Sequence, residues 1–209
     1  MISPSRPSSS CPALVFDFGG VLIDWNPRYL YRKVFNNDEN SVERFLNEVG
    51  FFEWNHLQDA GRPFSEAVAD LCTRYPQHCD LIHLYDERYE ESISGPIPGT
   101  VEILQKLHEG GFRLYGLSNW PAQKFQVVRR KYDFFSWFDA IIISGEVRVA
   151  KPDPRIFYLL LDQIARPAAE CLLIDDSKAN IQTAQSLGFH TILFQSPQQF
   201  QEQLNRLGI

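Results

Sequence analysis

From Thr100 onward, short apolar runs alternate with stretches whose apolar residues recur at helical spacing, and that alternation admits few folds. Phe112–Leu117, Ala140–Ile143, Cys171–Ile174 and Thr191–Phe194 read as strands. Between them, Phe125 and Val128, then Ile156, Phe157, Leu160, Leu161 and Ile164, then Ile181, Ala184 and Leu187 mark helix faces, and a helix closes the chain. Strand–helix alternation of this kind builds βαβ units around a parallel sheet. An earlier apolar run, Ala13 to Asp24, suits a strand buried on both faces of such a sheet.

The alternation is interrupted directly after that first strand. Asn26 reads as an N-cap and Pro27 as a first helical residue, opening a helix to about Phe35. Val42, Phe45, Leu46 and Val49 mark a second helix, Phe64, Val68 and Leu71 a third, and Leu81, Leu84, Tyr85 and Arg88 a fourth. Phe51–Gly61, crowded with aromatic residues, reads as irregular, and Ser94–Gly99 as a linker. The expectation is an α/β core formed by 13–25 and 95–209, with a helical cap inserted over 26–94. Residues 1–12, rich in Ser and Pro and with no apolar signal segment, are expected to form a disordered tail.

Composition narrows the function. A formal charge of −6 and the lack of a basic run argue against nucleic acid. No apolar stretch approaches the roughly 20 residues that cross a bilayer, so no membrane partner is expected. Cys11, Cys72, Cys79 and Cys171 form no CxxC pair, and Cys72 and Cys79 with His78 and His83 fit no usual zinc spacing. A reducing, cytoplasmic compartment is the default. Nothing in the sequence fixes an oligomeric state.

The chemistry sits just past the strands. Asp17 interrupts the first apolar run and precedes Gly19 and Gly20, where backbone can approach a ligand. The second strand ends in Ser118-Asn119, the third leads to Lys151, and the fourth runs into Asp175-Asp176. In a parallel sheet these carboxyl ends share the edge where ligands bind. Three carboxylates there would repel one another without a cation, and an oxygen-only donor set suits Mg²⁺ with a substrate phosphate. Lys151 adds a compact positive charge for phosphoryl oxygens.

Asp17-Phe18-Gly19-Gly20, Leu117-Ser118-Asn119, Lys151-Pro152 and Ile174-Asp175-Asp176 resemble, in order and spacing, the four motifs of the haloacid dehalogenase (HAD)-like hydrolases in their capped branch. The resemblance extends from Ala13 to the C-terminus and implies a Rossmann-like core. It implies that Asp17 is a covalent nucleophile, that Ser118 and Asn119 orient the transferred group, and that Lys151 stabilises charge. It also implies that Asp17, Asp175, Asp176 and the Gly19 carbonyl hold Mg²⁺. The function implied is a Mg²⁺-dependent phosphatase acting on a small phosphorylated metabolite, a sugar phosphate among the candidates.

Two alternatives to that function are weighed. Most phosphatases of this family place a second Asp, the general acid/base, where this chain has Gly19, so a scaffold that binds a phosphorylated ligand without turnover is one alternative. Asp24, His56 and Asp59 are candidate replacements. The other alternative is 2-haloacid dehalogenation, but those enzymes have a Ser/Asn-rich fourth motif and a tyrosine at the position of Phe157. The Asp-Phe-Gly triplet lacks every other kinase motif, and a phosphoacceptor domain would place its acidic pair first. For substrate selection the cap offers Trp25, Trp54, His56 and Asp59, with Arg28 and Phe52 beside them.

Overall fold

Five parallel strands form the sheet around which the chain is wound, in the order β5-β4-β1-β6-β7, and the computed structural model describes residues 12–209. The strands are β1 (Ala13–Phe16), β4 (Leu114–Ser118), β5 (Ala140–Ile143), β6 (Cys171–Asp175) and β7 (His190–Leu193), with β2 and β3 lying outside the sheet. β1 is central and wholly buried, as an unbroken apolar run should be. Its side chains alternate between two cores. Leu14 and Phe16 face α6 (Pro98–Glu109), α7 (Ala122–Arg129) and α11 (Pro197–Leu207), while Ala13 and Val15 face α9 (Pro154–Ile164) and α10 (Lys178–Ser186). Four-residue α8 (Ser144–Val147) follows β5 directly.

The winding reverses at β1: β4 and β5 are laid down on one side of it, β6 and β7 on the other. Such a reversal opens a crevice at the carboxyl ends of the strands beside it, which is where ligands bind in open α/β sheets. Asp17 is the first residue past β1.

Between β2 (Ile23–Trp25) and β3 (Ile93–Pro96) lies the helical segment, with α1 (Pro27–Val34), α2 (Glu39–Glu48), α3 (Phe51–Asp59), α4 (Phe64–Arg74) and α5 (Cys79–Glu87). Asn26 and Pro27 open α1 as capping chemistry requires, the Asn26 side chain accepting from Arg28 N at 3.0 Å. The apolar face of the segment, including Tyr31, Phe45, Trp54 and Tyr85, is continuous with the core on the Leu14 side of the sheet.

Three expectations are corrected. The stretch 51–61 is not irregular: Phe51 to Asp59 is a regular helix. Its buried face, Phe51, Trp54, Asn55 and Gln58, is half amide, so no apolar period shows in the sequence. The expected linker around 95 is a strand, pairing antiparallel with β2 through Ile23 and Pro96, Asp24 and Gly95, and Trp25 and Ile93. Cys72 and Cys79 form a disulfide across the turn between α4 and α5, which takes up the sulfurs a zinc site would need. A disulfide was not anticipated from the expectation of a reducing compartment. The tail expected over 1–12 lies outside the described residues except for Pro12.

Candidate active site

The four strand-end groups meet on one buried network. Asp17 Oδ1 accepts from Phe18 N and from Ser118 Oγ, both at 2.7 Å, and Oδ2 lies 2.9 Å from Lys151 Nζ. The same ammonium reaches Asp175 Oδ2 at 2.6 Å. Asp175 is held in turn by Ser177 N at 2.9 Å and by Asn180 Nδ2 at 3.0 and 3.1 Å. A buried charge is tolerated only when it is paired and hydrogen-bonded in this way.

Asn119 takes a different place from the one expected of it. Its amide brackets the backbone of Lys151, donating to Lys151 O and accepting from Lys151 N, both at 2.8 Å. It is thus the clamp that aims Lys151, with both ends of its side chain engaged.

Burial dominates the electrostatics. It raises the Asp17 carboxyl above its usual range, and the charges of Asp175 and Asp176 add to that, while Lys151 and the Ser118 hydrogen bond oppose it. For Lys151 burial pulls the other way, but the facing carboxylates of Asp17 and Asp175 outweigh it and hold the ammonium above the usual lysine value. Asp17, Asp175 and Asp176 each bring an oxygen within 4.8 Å of the others. With Lys151 they leave a formal excess of two negative charges, which a divalent cation cancels. Hard oxygen donors in this number fit Mg²⁺. Gly20, at φ +74°, makes room for one of them, since a Cβ there would lie 2.2 Å from Asp176 Oδ2.

Beside this network, reached through Gly19 and Asn119, which follow Asp17 and Ser118 in the chain, is a cleft of about 60 Å³ lined in part by Gly19, Asn119 and Trp120 from the core side. Trp25, Asn55, Asp59 and Tyr89 complete it from the helical segment and its connections. Asp59 Oδ2 accepts from Asn55 Nδ2 at 3.2 Å, and Asn55 Oδ1 accepts from Tyr85 Oη at 3.0 Å. Burial first, and the charge of Asp17 second, push the Asp59 carboxyl up to about 7. The indole N–H groups of Trp25 and Trp120 are buried without a hydrogen-bond partner among the described residues.

Of the four specificity candidates, the structure brings Trp25 and Asp59 to the cleft and leaves two elsewhere. Trp54 is buried inside the helical segment and donates to Ala67 O at 3.1 Å. His56 is exposed on α3 and does not line the cleft. Arg28 is paired with Glu43 at 2.5 Å, and Phe52 lies under its guanidinium. Sequence reasoning missed Asn55, Tyr89 and Trp120. Asn55 stands four residues before Asp59, a signal available only once α3 is read as a helix. Trp120 directly follows Ser118-Asn119, and Tyr89 carries no signal.

Comparison with known proteins agrees with this arrangement. The model for haloacid dehalogenase-like hydrolases matches residues 11–188. The chain is similar to a drimenol cyclase of Aspergillus calidoustus, 29% identical over 93% of this chain, although it spans only 36% of the cyclase. It is also similar to a phosphorylated carbohydrates phosphatase of Thermotoga maritima, 23% identical over 86% of this chain and 83% of that one. Among solved structures, a HAD family enzyme of Bacteroides thetaiotaomicron in complex with magnesium and inorganic phosphate superposes with a TM-score of 0.69. That pair is 20% identical and covers 89% of this chain and 95% of the other, a likeness of fold. With four strand-end motifs on one network and a family match over most of its length, the chain belongs to the haloacid dehalogenase-like hydrolases.

Proposed function

We propose that the chain is a Mg²⁺-dependent phosphatase of small phosphorylated metabolites, working through an aspartyl-phosphate on Asp17. One observation carries the reading: a buried carboxylate at the sheet's switch point, facing two further carboxylates with a single lysine among them. That excess of negative charge suits a site that takes a divalent cation and a phosphoryl group together. A 2-haloacid would bring its own carboxylate against the same charges, and the cleft-lining residues include no cation to receive it. The likeness to a phosphorylated carbohydrates phosphatase supports a sugar phosphate as substrate.

Asp17, Asp175 and Asp176 would hold Mg²⁺, which supplies charge neutralisation for the phosphoryl oxygens. Asp17 then attacks phosphorus, and the Ser118 hydroxyl and Phe18 N fix the rotation of its carboxylate. Lys151, aimed by Asn119, balances the charge of Asp17 and Asp175 so that three carboxylates can coexist. Residues 26–94 act as a cap over the edge, contributing the roof of the cleft and with it substrate choice. No helix among the described residues is long and apolar enough to cross a membrane.

Hydrolysis of 4-nitrophenyl phosphate is expected to require Mg²⁺ and to vanish in Asp17→Asn. Turnover that survives a chelator, or that favours 2-haloacids over phosphate esters in a parallel screen, would sink the reading.

A further inference from the structure

Cleaving an unactivated phosphate ester requires a proton for the departing oxygen, and the core side of the site has none to give. Asp17 is the nucleophile, and the Ser118 hydroxyl is committed to it at 2.7 Å. Lys151 is locked between two carboxylates, Asp175 accepts from Lys151, Ser177 and Asn180, and Asp175 and Asp176 would be held as carboxylates by Mg²⁺. Gly19 offers no side chain at all.

The helical segment does have a carboxyl here. Asp59 is the one carboxyl that lines the cleft, where it shares the wall with Gly19 and Asn119. The other two candidates fall away: Asp24 is taken up by Tyr29 Oη at 2.8 Å, and His56 is exposed elsewhere on α3. Asp59 is also built into place from both ends. Asn55, one turn back on α3 and itself fixed by Tyr85, holds its side chain. Its backbone carbonyl accepts from Ser144 Oγ of the core at 2.5 Å, and that hydroxyl in turn accepts from Trp120 N at 2.9 Å. The end of α3 is therefore tied to the core beside Trp120 through a chain of hydrogen bonds.

We propose that Asp59 is the general acid and base of the reaction, reaching the cleft from the helical segment over the space that Gly19 leaves open. The proposal rests on the phosphatase reading. In the first step the bond from phosphorus to the leaving oxygen breaks as the bond to Asp17 forms, and the Asp59 carboxyl gives its proton to that oxygen, releasing an alcohol. In the second step the Asp59 carboxylate takes a proton from water as the water oxygen attacks phosphorus. The bond to Asp17 then breaks, inorganic phosphate leaves, and Asp59 is again an acid. A carboxyl at about 7 is suited to both roles near neutrality. The groups that face Asp59 are Asn55, Tyr85 through Asn55, Tyr89 and, across the cleft, Asp17. Tyr89 is no rival, since burial raises its phenol well above the ordinary tyrosine value.

The test uses two probes with Mg²⁺: 4-nitrophenyl phosphate, whose leaving group departs without a proton, and butyl phosphate, whose leaving group needs one. Asp59→Asn is expected to slow butyl phosphate hydrolysis by about 10²-fold or more. With the nitrophenyl ester it should release one nitrophenol per site in a burst and then stall, because water attack has lost its base. Adding Gly19→Asp to that variant should recover at least about tenfold of the butyl phosphate rate, since a Cβ at Gly19 meets only Trp120, at 3.9 Å. A wild-type protein that turns over neither probe brings down the phosphatase reading and this proposal with it. An active wild type matched by Asp59→Asn on both probes, or a double variant no faster than Asp59→Asn, overturns the role of Asp59 alone.

Discussion

The strand-end network, the floor of the site, and the helical-segment side of the neighbouring cleft, its roof, are built on opposite principles. On the floor, Asp17, Ser118, Lys151 and Asp175 saturate one another in a network whose contacts run from 2.6 to 3.1 Å. The cleft has loose ends: the indole N–H of Trp25 on the roof and that of Trp120 on the core side are without partners among the described residues, and the roof carboxyl is held by one amide. Saturation fixes the geometry of a reaction, because no group on the floor can turn without stranding another in a low dielectric. Unsatisfied donors are a cost that a ligand can relieve, and so they select what enters. On the proposed reading, chemistry and selection are thus divided between the sheet edge and the helical segment.

The sharpest way to break that division is to cut the floor. Lys151→Met leaves Asp17 and Asp175 buried and facing each other without the cation, and removing one partner of a buried ion pair costs about 3–5 kcal/mol. For a chain of this size the chelated variant should melt roughly 6–20 °C below the wild type. Mg²⁺ should recover more of the melting temperature in the variant than it adds to the wild type, since the carboxylates then have a second source of charge. Thermal melts with and without the ion check both points, and an unchanged melting temperature would show that Lys151 is not what holds the floor together.

The floor was legible in the sequence and much of the roof was not, and the same difference explains why. Asp17, Ser118, Lys151 and Asp175 each interrupt or follow an apolar run, and a parallel sheet gathers strand ends on one edge, so their meeting follows from topology. The roof depends on α3, whose inner face is half amide. Asn55 and Gln58 sit where apolar residues would announce a helix. The pairing of β2 with β3 joins segments about seventy residues apart and only three or four residues long, one of them carrying Gly95 and Pro96. No local pattern marks such a ribbon. Nor does residue type separate Trp25 from Trp54: both are tryptophans beside polar neighbours, and only packing sends one to the cleft and the other to the helical core.

A smaller effect probes the roof carboxyl through stability. Asp59 keeps its proton up to about 7 in the folded chain against 3.8 ordinarily. Between those values the folded state binds more protons than the unfolded one, so stability is full below about 4 and falls as pH rises toward 7. Asp59 is only partly shielded from water, and allowing for that the loss is on the order of 2 kcal/mol, or roughly 4–8 °C. Asp17, also raised, contributes in the same direction in chelated protein. Melting of chelated wild type and Asp59→Asn between pH 5 and 8 should therefore give two lines, the variant's the flatter. Parallel lines would mean that Asp59 is ionised throughout, and would remove the support its proton affinity lends to an acid/base role.

The two tryptophans supply the finest test, because one substitution made in two places should do two different things. In Trp54→Phe the indole bond to Ala67 O is lost inside the helical segment, at a cost of about 1 kcal/mol, and no residue that lines the cleft loses a hydrogen bond. The melting temperature should fall by roughly 2–4 °C with KM for butyl phosphate unmoved. Trp25→Phe removes a buried donor that has no partner among the described residues, so the fold should be left within about 0.5 kcal/mol of wild type. What it removes from a ligand is an acceptor's partner on the cleft wall, and KM should rise by about three- to tenfold, the loss of one hydrogen bond. If Trp25→Phe instead lowered the melting temperature and spared KM, Trp25 would be packing, and selection at the cleft would be left to Trp120 and Tyr89.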